Sequence, residues 1–285
     1  MKIAVVGAGF VGSAVAAGFQ KSNPIVVDPR LGYTVEDLVK EHQDLDAAFI
    51  CVPTPMGENG SIDCSNVEKV LQVVSAANDQ CLLVLKSTVT PANCKTLSEK
   101  YKNFVYNPEF LTEANAVHDF VNPFMHVFGG ELSKCLAVEA IYAKYSSCKM
   151  NVPVHYVTPE EASLIKYGIN SFLSTKVMFM NQWASLCEQY GADYTKVSSG
   201  MGTDPRITTS HMKVPGPDGR KGFGSACFAK DVPAIINEGK FTLSILREVW
   251  NSNCDTRNSY PEPLPREKEQ HIEFNYIFEE NLRHP

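Results

Sequence analysis

Short apolar runs alternate with helix-like stretches through the first half of this 285-residue chain. The runs are rich in β-branched and apolar residues, which is typical of strands covered by helices on both faces. Strand–helix alternation of this kind predicts parallel strands joined by crossover helices. The predicted strands are KIAVVG, PIVVD, DAAFICVP, CLLVLKST, NFVYNP and VHYV. The predicted fold class is therefore α/β, with a Rossmann-like, doubly wound parallel sheet in residues 1–157.

The chain changes character at Thr158. The sequence TPEE offers an N-cap threonine, Pro159 at the first helical position and Glu161 three residues after the cap, which together predict a capping box. The helix that begins there is predicted to reach Tyr190 and is apolar on most sides. A helix of roughly 30 residues spans about 45 Å, too long and too apolar for a free surface element. The sequence therefore predicts an α-helical central domain, residues 158–253, built on a long core helix.

Two segments of the second half lack a helical pattern. Residues 204–221 are rich in glycine and proline, which predicts a loop. Residues 254–285 are rich in proline and charge, so we expect an extended or weakly ordered tail that ends in a short packed element.

Composition excludes several classes of function. A formal net charge of −6 gives no basic footprint, so neither nucleic acid nor an anionic membrane is an expected partner. No segment reaches the roughly 18 apolar residues of a membrane span, and Met1 leads directly into a predicted strand, so we expect a cytoplasmic protein. The nine cysteines include no C-x-x-C pair, and no histidine stands at zinc-site spacing, so we expect no metal.

The sequence GAGFVG places Gly7, Gly9 and Gly12 between the first predicted strand and the first predicted helix. In dinucleotide-binding folds the first glycine permits a tight turn, the second lets the backbone approach a pyrophosphate, and the third lets helix and strand pack closely. The helix N-terminus adds N–H groups for the phosphates. We therefore expect this loop, with Phe10 and Val11, to bind a dinucleotide.

Asp28 ends the second predicted strand. A carboxylate at this position accepts hydrogen bonds from a ribose 2′-hydroxyl and repels a 2′-phosphate, which favours NAD over NADP. Arg30 softens that preference, because an arginine nearby can receive a 2′-phosphate. NAD is the expected cofactor.

Three further segments resemble the UDP-glucose 6-dehydrogenase family of nucleotide-sugar dehydrogenases. They are NPEFLTEANAVHDFVNP (107–123), EASLIKYGIN (161–170) and GFGSACFAKD (222–231), in that order. The resemblance covers roughly residues 1–250 and implies the oxidation of a sugar C6 alcohol to a carboxylate with two NAD. Family members hold the intermediate on a cysteine, and the resemblance implies that role for Cys227.

The chemistry explains why such a reaction needs a cysteine. The first oxidation gives an aldehyde, and a thiolate that adds to it forms a thiohemiacetal; loss of a second hydride leaves a thioester for water to hydrolyse. By resemblance, Lys166 and Asn170, four apart on one helical face, stabilise the developing oxyanion. Asp231 and Thr88 match positions that organise the hydrolytic water.

The resemblance also implies contacts with substrate and cofactor. Glu109 matches the family's glutamate toward substrate, and Glu113 matches the glutamate toward cofactor and water. Arg206 matches an arginine that reaches the substrate of a neighbouring subunit, so a homodimer is implied. The implied substrate-binding residues are Glu109, Phe110, Leu111, Lys166, Asn170, Arg206, Phe223 and Gly224. The implied cofactor-binding residues beyond the glycine loop are Asp28, Thr88, Glu113 and Lys230.

Each assignment has a structural alternative. Cys227 would be a small core residue, and Arg206 an ordinary loop cation. Thr88 would cap the helix that follows it. The remaining alternatives are an exposed helical stripe for Lys166 and Asn170 and a solvated helix start for Glu109 and Glu113.

The chain departs from the family pattern at several positions. Ser225 and Ala226 stand where the family has two glycines, and Ala229 replaces a proline. The family's NPDR is here NPFM, residues 122–125. Family members carry a third domain that closes over the UDP portion, and we expect this chain to be a shortened form without it: a minimal enzyme, a fragment or a form that has lost activity.

The expected function is the NAD-dependent oxidation of UDP-glucose to UDP-glucuronate. UDP-N-acetylmannosamine and GDP-mannose are alternative substrates. A two-electron dehydrogenase of the related 3-hydroxyacid type also places a lysine and an asparagine four apart on a long helix, but it needs no cysteine. A catalytically silent NAD-binding dimer is the alternative outside enzymes.

Overall fold

The computed structural model describes residues 1–112, 114–224 and 226–278. Glu113, predicted to contact cofactor and water, lies outside the described residues, as does Ser225. The chain forms two compact units. The sheet unit comprises Met1–Thr54 and Asp63–Lys166, and the helical unit comprises Pro55–Ile62 and Tyr167–Pro285.

Seven strands in the described part of the sheet unit form one sheet, in the order β2-β1-β3-β4-β5-β6-β7. The strands are β1 (Ile3–Val6), β2 (Ile25–Val27), β3 (Ala47–Ile50), β4 (Leu82–Leu85), β5 (Phe104–Tyr106), β6 (His126–Gly130) and β7 (Val154–Val157). β1 to β5 are mutually parallel. The predicted Rossmann-like, doubly wound sheet is confirmed.

The sheet is mostly rather than wholly parallel, because β6 runs antiparallel to β5 and pairs in parallel with β7. Strand β6 was not among the strands predicted from the sequence. Its sequence, HVFGG, ends in two glycines, which have low strand propensity, so its apolar run is too short to read as a strand.

Helices cover this sheet and build the rest of the chain. Those of the sheet unit are α1 (Phe10–Gly18), α2 (Val35–Glu41), α3 (Ser65–Ala77), α4 (Pro91–Lys100), α5 (Ala116–Val121) and α6 (Leu132–Tyr145). The core beneath the sheet is aromatic: the ring of Phe19 lies 4.8 Å from that of Phe49 and 5.4 Å from that of Tyr142, centroid to centroid. These contacts join β3 to the end of α1 and to α6.

The predicted long helix is confirmed as α7 (Pro159–Gln189), which has 31 residues. Its capping box is also confirmed. Thr158 N–H donates to Glu161 Oε2 at 2.8 Å, and Glu161 N–H donates to Thr158 Oγ1 at 3.2 Å. The later helices are α8 (Tyr194–Gly202), α9 (Phe228–Gly239), α10 (Ser244–Asn258) and α11 (Pro265–Glu269). Residues 204–221 contain neither helix nor strand, as predicted.

The expectation of an extended or weakly ordered tail is wrong for residues 254–258 and 265–269, which are helical, whereas residues 271–278 contain neither helix nor strand. Helix α10 continues to Asn258, and Pro265 begins α11 at a position where a proline without N–H is tolerated. Cys254 and Glu267 are buried. The proline-rich residues between Asn258 and Pro265 therefore separate two helices, and both helices bury side chains.

Among the residues that the structure describes, no helix combines the length and the hydropathy required to span a bilayer.

Candidate active site

The three glycines of the loop differ in the reason for which glycine is needed. Gly7 has a φ of +96°, and a Cβ on Gly12 would lie 1.6 Å from the carbonyl oxygen of Gly7. Both positions therefore need glycine for the turn itself. A Cβ on Gly9 would meet no heavy atom within 4 Å. The open space at Gly9, directly before α1, fits the close approach of a pyrophosphate.

Asp28 follows β2 and ties the glycine loop to Arg30. Its carboxylate accepts hydrogen bonds from Ala8 N–H at 2.8 Å, from Arg30 N–H at 2.9 Å, and from Arg30 Nε and Nη2 at 3.0 and 2.9 Å. The hydrogen bonds from Arg30 hold the pKa of Asp28 well below its usual value. A carboxylate offers about four acceptor sites, so a ribose hydroxyl would compete with Arg30 for this group.

Glu109 and Lys166 form a buried ion pair in the sheet unit. Glu109 follows β5, and Lys166 lies on the second turn of α7. Lys166 Nζ donates to the carbonyl oxygen of Glu109 at 2.7 Å and to its Oε1 at 3.1 Å. Burial opposes ionisation of Glu109, but Lys166 and a 2.6 Å hydrogen bond from Leu111 N–H keep its pKa below the usual value. The alternatives of an exposed stripe and a solvated helix start are wrong for these two residues.

Phe110 and Leu111 continue from this ion pair along a cavity of about 170 Å³ in the sheet unit. The ring of Phe110 lies 5.4 Å from Lys166 Nζ and 5.7 Å from the ring of Phe124. Glu109, Phe110 and Leu111, all predicted to contact the substrate, therefore line one cavity.

Asn170, Lys230 and Asp231 meet in the helical unit. Asp231 Oδ2 accepts a hydrogen bond from Asn170 Nδ2 at 2.7 Å, and its Oδ1 accepts one from Lys230 Nζ at 2.6 Å. All three side chains are buried. The carboxylate is thus satisfied by one amide and one ammonium, as a buried charge requires.

Cys227 is the N-cap residue of α9, one helical turn before Asp231. Asp231 N–H donates to the carbonyl oxygen of Cys227 at 3.0 Å. Cys227 is half-buried, whereas the other eight cysteines are buried. The N-terminus of a helix favours a negative charge placed against it.

Thr88 and Arg206 have different surroundings. Thr88 is buried after β4, and its carbonyl oxygen accepts a hydrogen bond from Thr54 Oγ1 at 2.9 Å. The N-cap of α4 is Thr90, so the alternative in which Thr88 caps that helix is wrong. Arg206 is exposed, and its Nε and Nη2 donate to Asp204 at 3.0 and 2.6 Å.

The structure thus brings the predicted residues together in two sets. The sheet unit joins Lys166 to the Glu109–Leu111 segment, and the helical unit joins Asn170 and Lys230 to Asp231. Sequence reasoning missed Asn253, whose Oδ1 accepts a hydrogen bond from Phe223 N–H at 2.7 Å, four residues before Cys227. No motif marks that asparagine, and its partner is 30 residues away.

Two models of one protein family match the chain. Residues 25–146 match the NAD binding domain of the UDP-glucose/GDP-mannose dehydrogenase family, and residues 160–255 match the central domain of the same family. The first match contains the resembling segment 107–123, and the second contains the segments 161–170 and 222–231.

Individual proteins give similar results. The UDP-glucose 6-dehydrogenase of Rickettsia bellii is 38% identical over 225 residues, which are 75% of this chain and 50% of that protein. The chain spans about half the length of several such curated relatives. The structure of a UDP-glucose dehydrogenase from Pyrobaculum islandicum has a TM-score of 0.75 at 27% identity, covering 88% of this chain and 67% of that chain. A 3-hydroxyisobutyrate dehydrogenase of Mycobacterium tuberculosis shares the fold, with a TM-score of 0.69 at 14% identity over 96% of each chain.

Proposed function

This chain belongs to the UDP-glucose/GDP-mannose dehydrogenase family, and we propose on that premise that it oxidises a nucleotide sugar with NAD as hydride acceptor. We propose UDP-glucose as the substrate and UDP-glucuronate as the product, because curated relatives carry the name UDP-glucose 6-dehydrogenase. UDP-N-acetylmannosamine and GDP-mannose are the alternative substrates. The cytoplasm is the expected compartment.

Cys227 is the proposed nucleophile, and its place at the start of α9 is the observation that carries the proposal. Its sulfur adds to the C6 aldehyde carbon, and the carbonyl oxygen takes a proton to give a thiohemiacetal. That carbon then gives up a hydride and its oxygen a proton, which leaves a thioester. Water adds to the thioester carbon, sulfur leaves as a thiolate, and the carboxylate is released. One alcohol, one water and two NAD⁺ thus give one carboxylate, two NADH and three protons.

Buried polar groups supply the remaining roles in this proposal. Lys166 and Asn170 stabilise the oxyanion that develops on the reacting carbonyl, because donors in a site shielded from water act strongly on such a charge. Asp231 and Thr88 organise the hydrolytic water. The ion pair with Glu109 supports this role of Lys166, since it fixes the ammonium group in a buried position.

NAD, when bound, supplies a hydride acceptor. The open space at Gly9 supports the proposal that residues 7–12, with Phe10 and Val11, receive its pyrophosphate. Asp28 would receive the ribose, and Lys230 is proposed to face the cofactor. Because Arg30 already occupies the carboxylate of Asp28, we expect the preference for NAD over NADP to depend on both residues.

We propose a homodimer, formed through α7. The part of α7 in the helical unit exposes large apolar side chains at a helical spacing, beginning at Phe172 (70% exposed), and Tyr190 (82% exposed) follows directly after the end of the helix. Those between them are Phe179, Trp183 and Leu186. A stripe of this kind on one helix is typical of a face that packs against a partner. Arg206 would then contact substrate across the dimer.

The test is the amount of NADH formed per UDP-glucose when the sugar is limiting and NAD is in excess. Two NADH per sugar are expected, with no full four-electron turnover by Cys227→Ser. Cys187→Ala, which removes a buried thiol of the same unit, is the control and should still give two. One NADH per sugar in the unaltered protein would indicate a two-electron dehydrogenase. Bound NAD without turnover of any of the three nucleotide sugars would indicate a silent binding protein.

A further inference from the structure

The three residues that begin at Gly222 lead to Cys227 and are held by side chains rather than by a strand. Phe223 N–H donates to Asn253 Oδ1 at 2.7 Å, and Asn253 Nδ2 donates back to the carbonyl oxygen of Phe223 at 2.9 Å. Gly222 N–H donates to Asn181 Oδ1 at 3.0 Å. Buried backbone groups must be paired, so the position of this segment depends on the side chains that pair them.

The end of the segment lies against a buried ion pair. Arg257 Nη2 donates to Glu267 Oε1 at 2.5 Å, and Arg257 Nη1 donates to Asp218 Oδ2 at 2.7 Å. A Cβ on Gly224 would lie 2.3 Å from both Arg257 Nη2 and Glu267 Oε1. No methyl group fits between the segment and the ion pair, so any shift of the pair displaces the segment.

A second layer of contacts supports Phe223. Its ring lies 6.2 Å from the ring of Trp250, which lies 5.8 Å from that of Phe274 in a stacked arrangement. Trp250 Nε1–H donates to the carbonyl oxygen of Asn275 at 2.8 Å. The aromatic contacts therefore extend from the segment to residues near the end of the described chain.

Part of this support lies beyond the segment that matches the family's central domain. The match to the central domain ends at residue 255, before Arg257, Glu267 and Phe274. We propose that residues 259–278, the strap, position Cys227 for its reaction, and that Glu267 is the positioning residue through which the strap acts. The proposal rests on the proposed role of Cys227 and adds to it a residue that touches neither substrate nor cofactor.

Glu267→Gln tests the strap. Glutamine has one carbonyl oxygen, so it can accept from Arg257 or from Leu264 N–H, which now donates to Glu267 Oε2 at 2.7 Å, but not from both. Arg257 keeps its pair with Asp218, and the loss is confined to one buried hydrogen bond. The variant should therefore fold. Glu269→Gln is the matched control, because Glu269 lies on the same helix but is exposed and pairs with Arg266 at 3.5 Å.

The primary measurement is the rate at which iodoacetamide alkylates Cys227, followed by mass spectrometry of its peptide from pH 6 to pH 10. We expect E267Q to change the alkylation rate by about fivefold or more at one or more pH values in this range. We also expect it to lower kcat by roughly tenfold while KM for NAD stays within about twofold. E269Q should stay within about twofold of the unaltered protein in all three quantities. Glu267→Asp, which keeps the charge, should restore part of the loss.

A folded E267Q variant with unaltered alkylation and unaltered kcat would overturn the proposal, as would an equal loss in E269Q. If E267Q does not fold, Trp250→Phe removes the hydrogen bond to Asn275 while keeping an aromatic ring, and unaltered alkylation in that variant also overturns it. Alkylation needs no turnover. If the unaltered protein oxidises no nucleotide sugar, the proposed function fails, and the alkylation series still decides whether the strap positions Cys227.

Discussion

Two lysines are buried in the sheet unit, and their surroundings differ. Lys166 is 3% exposed and pairs with the carboxylate of Glu109. Lys86, at the end of β4, is 4% exposed and donates instead to Asn107 Oδ1 at 2.9 Å and to the hydroxyl of Tyr142 at 3.3 Å. Among the described residues, Lys86 makes no ion pair. One ammonium therefore has a negative partner, and the other relies on neutral groups.

The difference shows that burial alone does not mark a lysine as part of a site. Burial lowers the pKa of Lys86 to about 8, because the neutral groups around it compensate only part of the lost hydration. The rings of Phe120 and Tyr142 add weak attraction, each at 5.9 Å from Nζ. At Lys166 the charge is matched, and each partner depends on the other.

Removing the matched lysine should have the larger effect. Lys166→Met leaves the carboxylate of Glu109 buried without its cation, which we expect to lower the free energy of unfolding by about 3–5 kcal/mol and to abolish turnover. Urea unfolding at pH 7 and NADH formation measure the two effects. Lys176→Met, on the same helix, should cost less than about 1 kcal/mol.

The double variant Glu109→Gln with Lys166→Met sharpens this prediction. With both charges removed, we expect it to recover more than half of the lost stability but none of the activity. If the single Lys166→Met variant were as stable as the unaltered protein, the ion pair with Glu109 would not stabilise the fold, and the contrast with Lys86 would be wrong.

Removing the unmatched lysine should be tolerated. Lys86→Met removes a desolvated ammonium, and Asn107 Oδ1 keeps the hydrogen bond that it accepts from the Tyr142 hydroxyl at 2.7 Å. We expect the free energy of unfolding at pH 7 to stay unchanged or to rise by up to about 2 kcal/mol. A fall of more than about 2 kcal/mol would mean that Lys86 stabilises the fold as Lys166 does.

The smallest expected effect is a pH dependence of the free energy of unfolding that comes from Lys86. Its pKa is about 8 in the folded protein and 10.5 in the reference state, so the unfolded chain binds more protons between these values. The destabilisation by Lys86 is therefore complete below pH 8 and disappears as pH rises toward 10.5. Relative to Lys86→Met, the unaltered protein should gain about 1 kcal/mol between pH 8 and pH 9. Parallel pH profiles of the two proteins would contradict the lowered pKa.

Much of the fold could be predicted, because its signals are local. The capping box at Thr158 and the glycine loop at Gly7 each lie within a few residues, and apolar runs identify most strands. The pairings within the candidate site could not be predicted. Lys166 and Glu109 are 57 residues apart, and Asn170 and Asp231 are 61 apart, so only the folded chain reveals them as partners.

The packed tail shows a different limit of sequence reasoning. A segment rich in proline and charge reads as weakly ordered, yet Arg257 and Glu267 are buried there. Composition counts charges without showing which of them neutralise one another. The sequence therefore did not reveal the ion pair of Arg257 with Glu267 or its contact with Gly224.

Because eight of its cysteines are buried, the chain contains natural probes of local opening. A buried thiol reacts with a reagent only while its surroundings open, so its rate of modification measures the free energy of that opening. Six of these thiols lie in the sheet unit, from Cys51 to Cys148, and Cys187 and Cys254 lie in the helical unit. One time course of thiol modification would therefore rank the stabilities of the two units separately, with no label introduced.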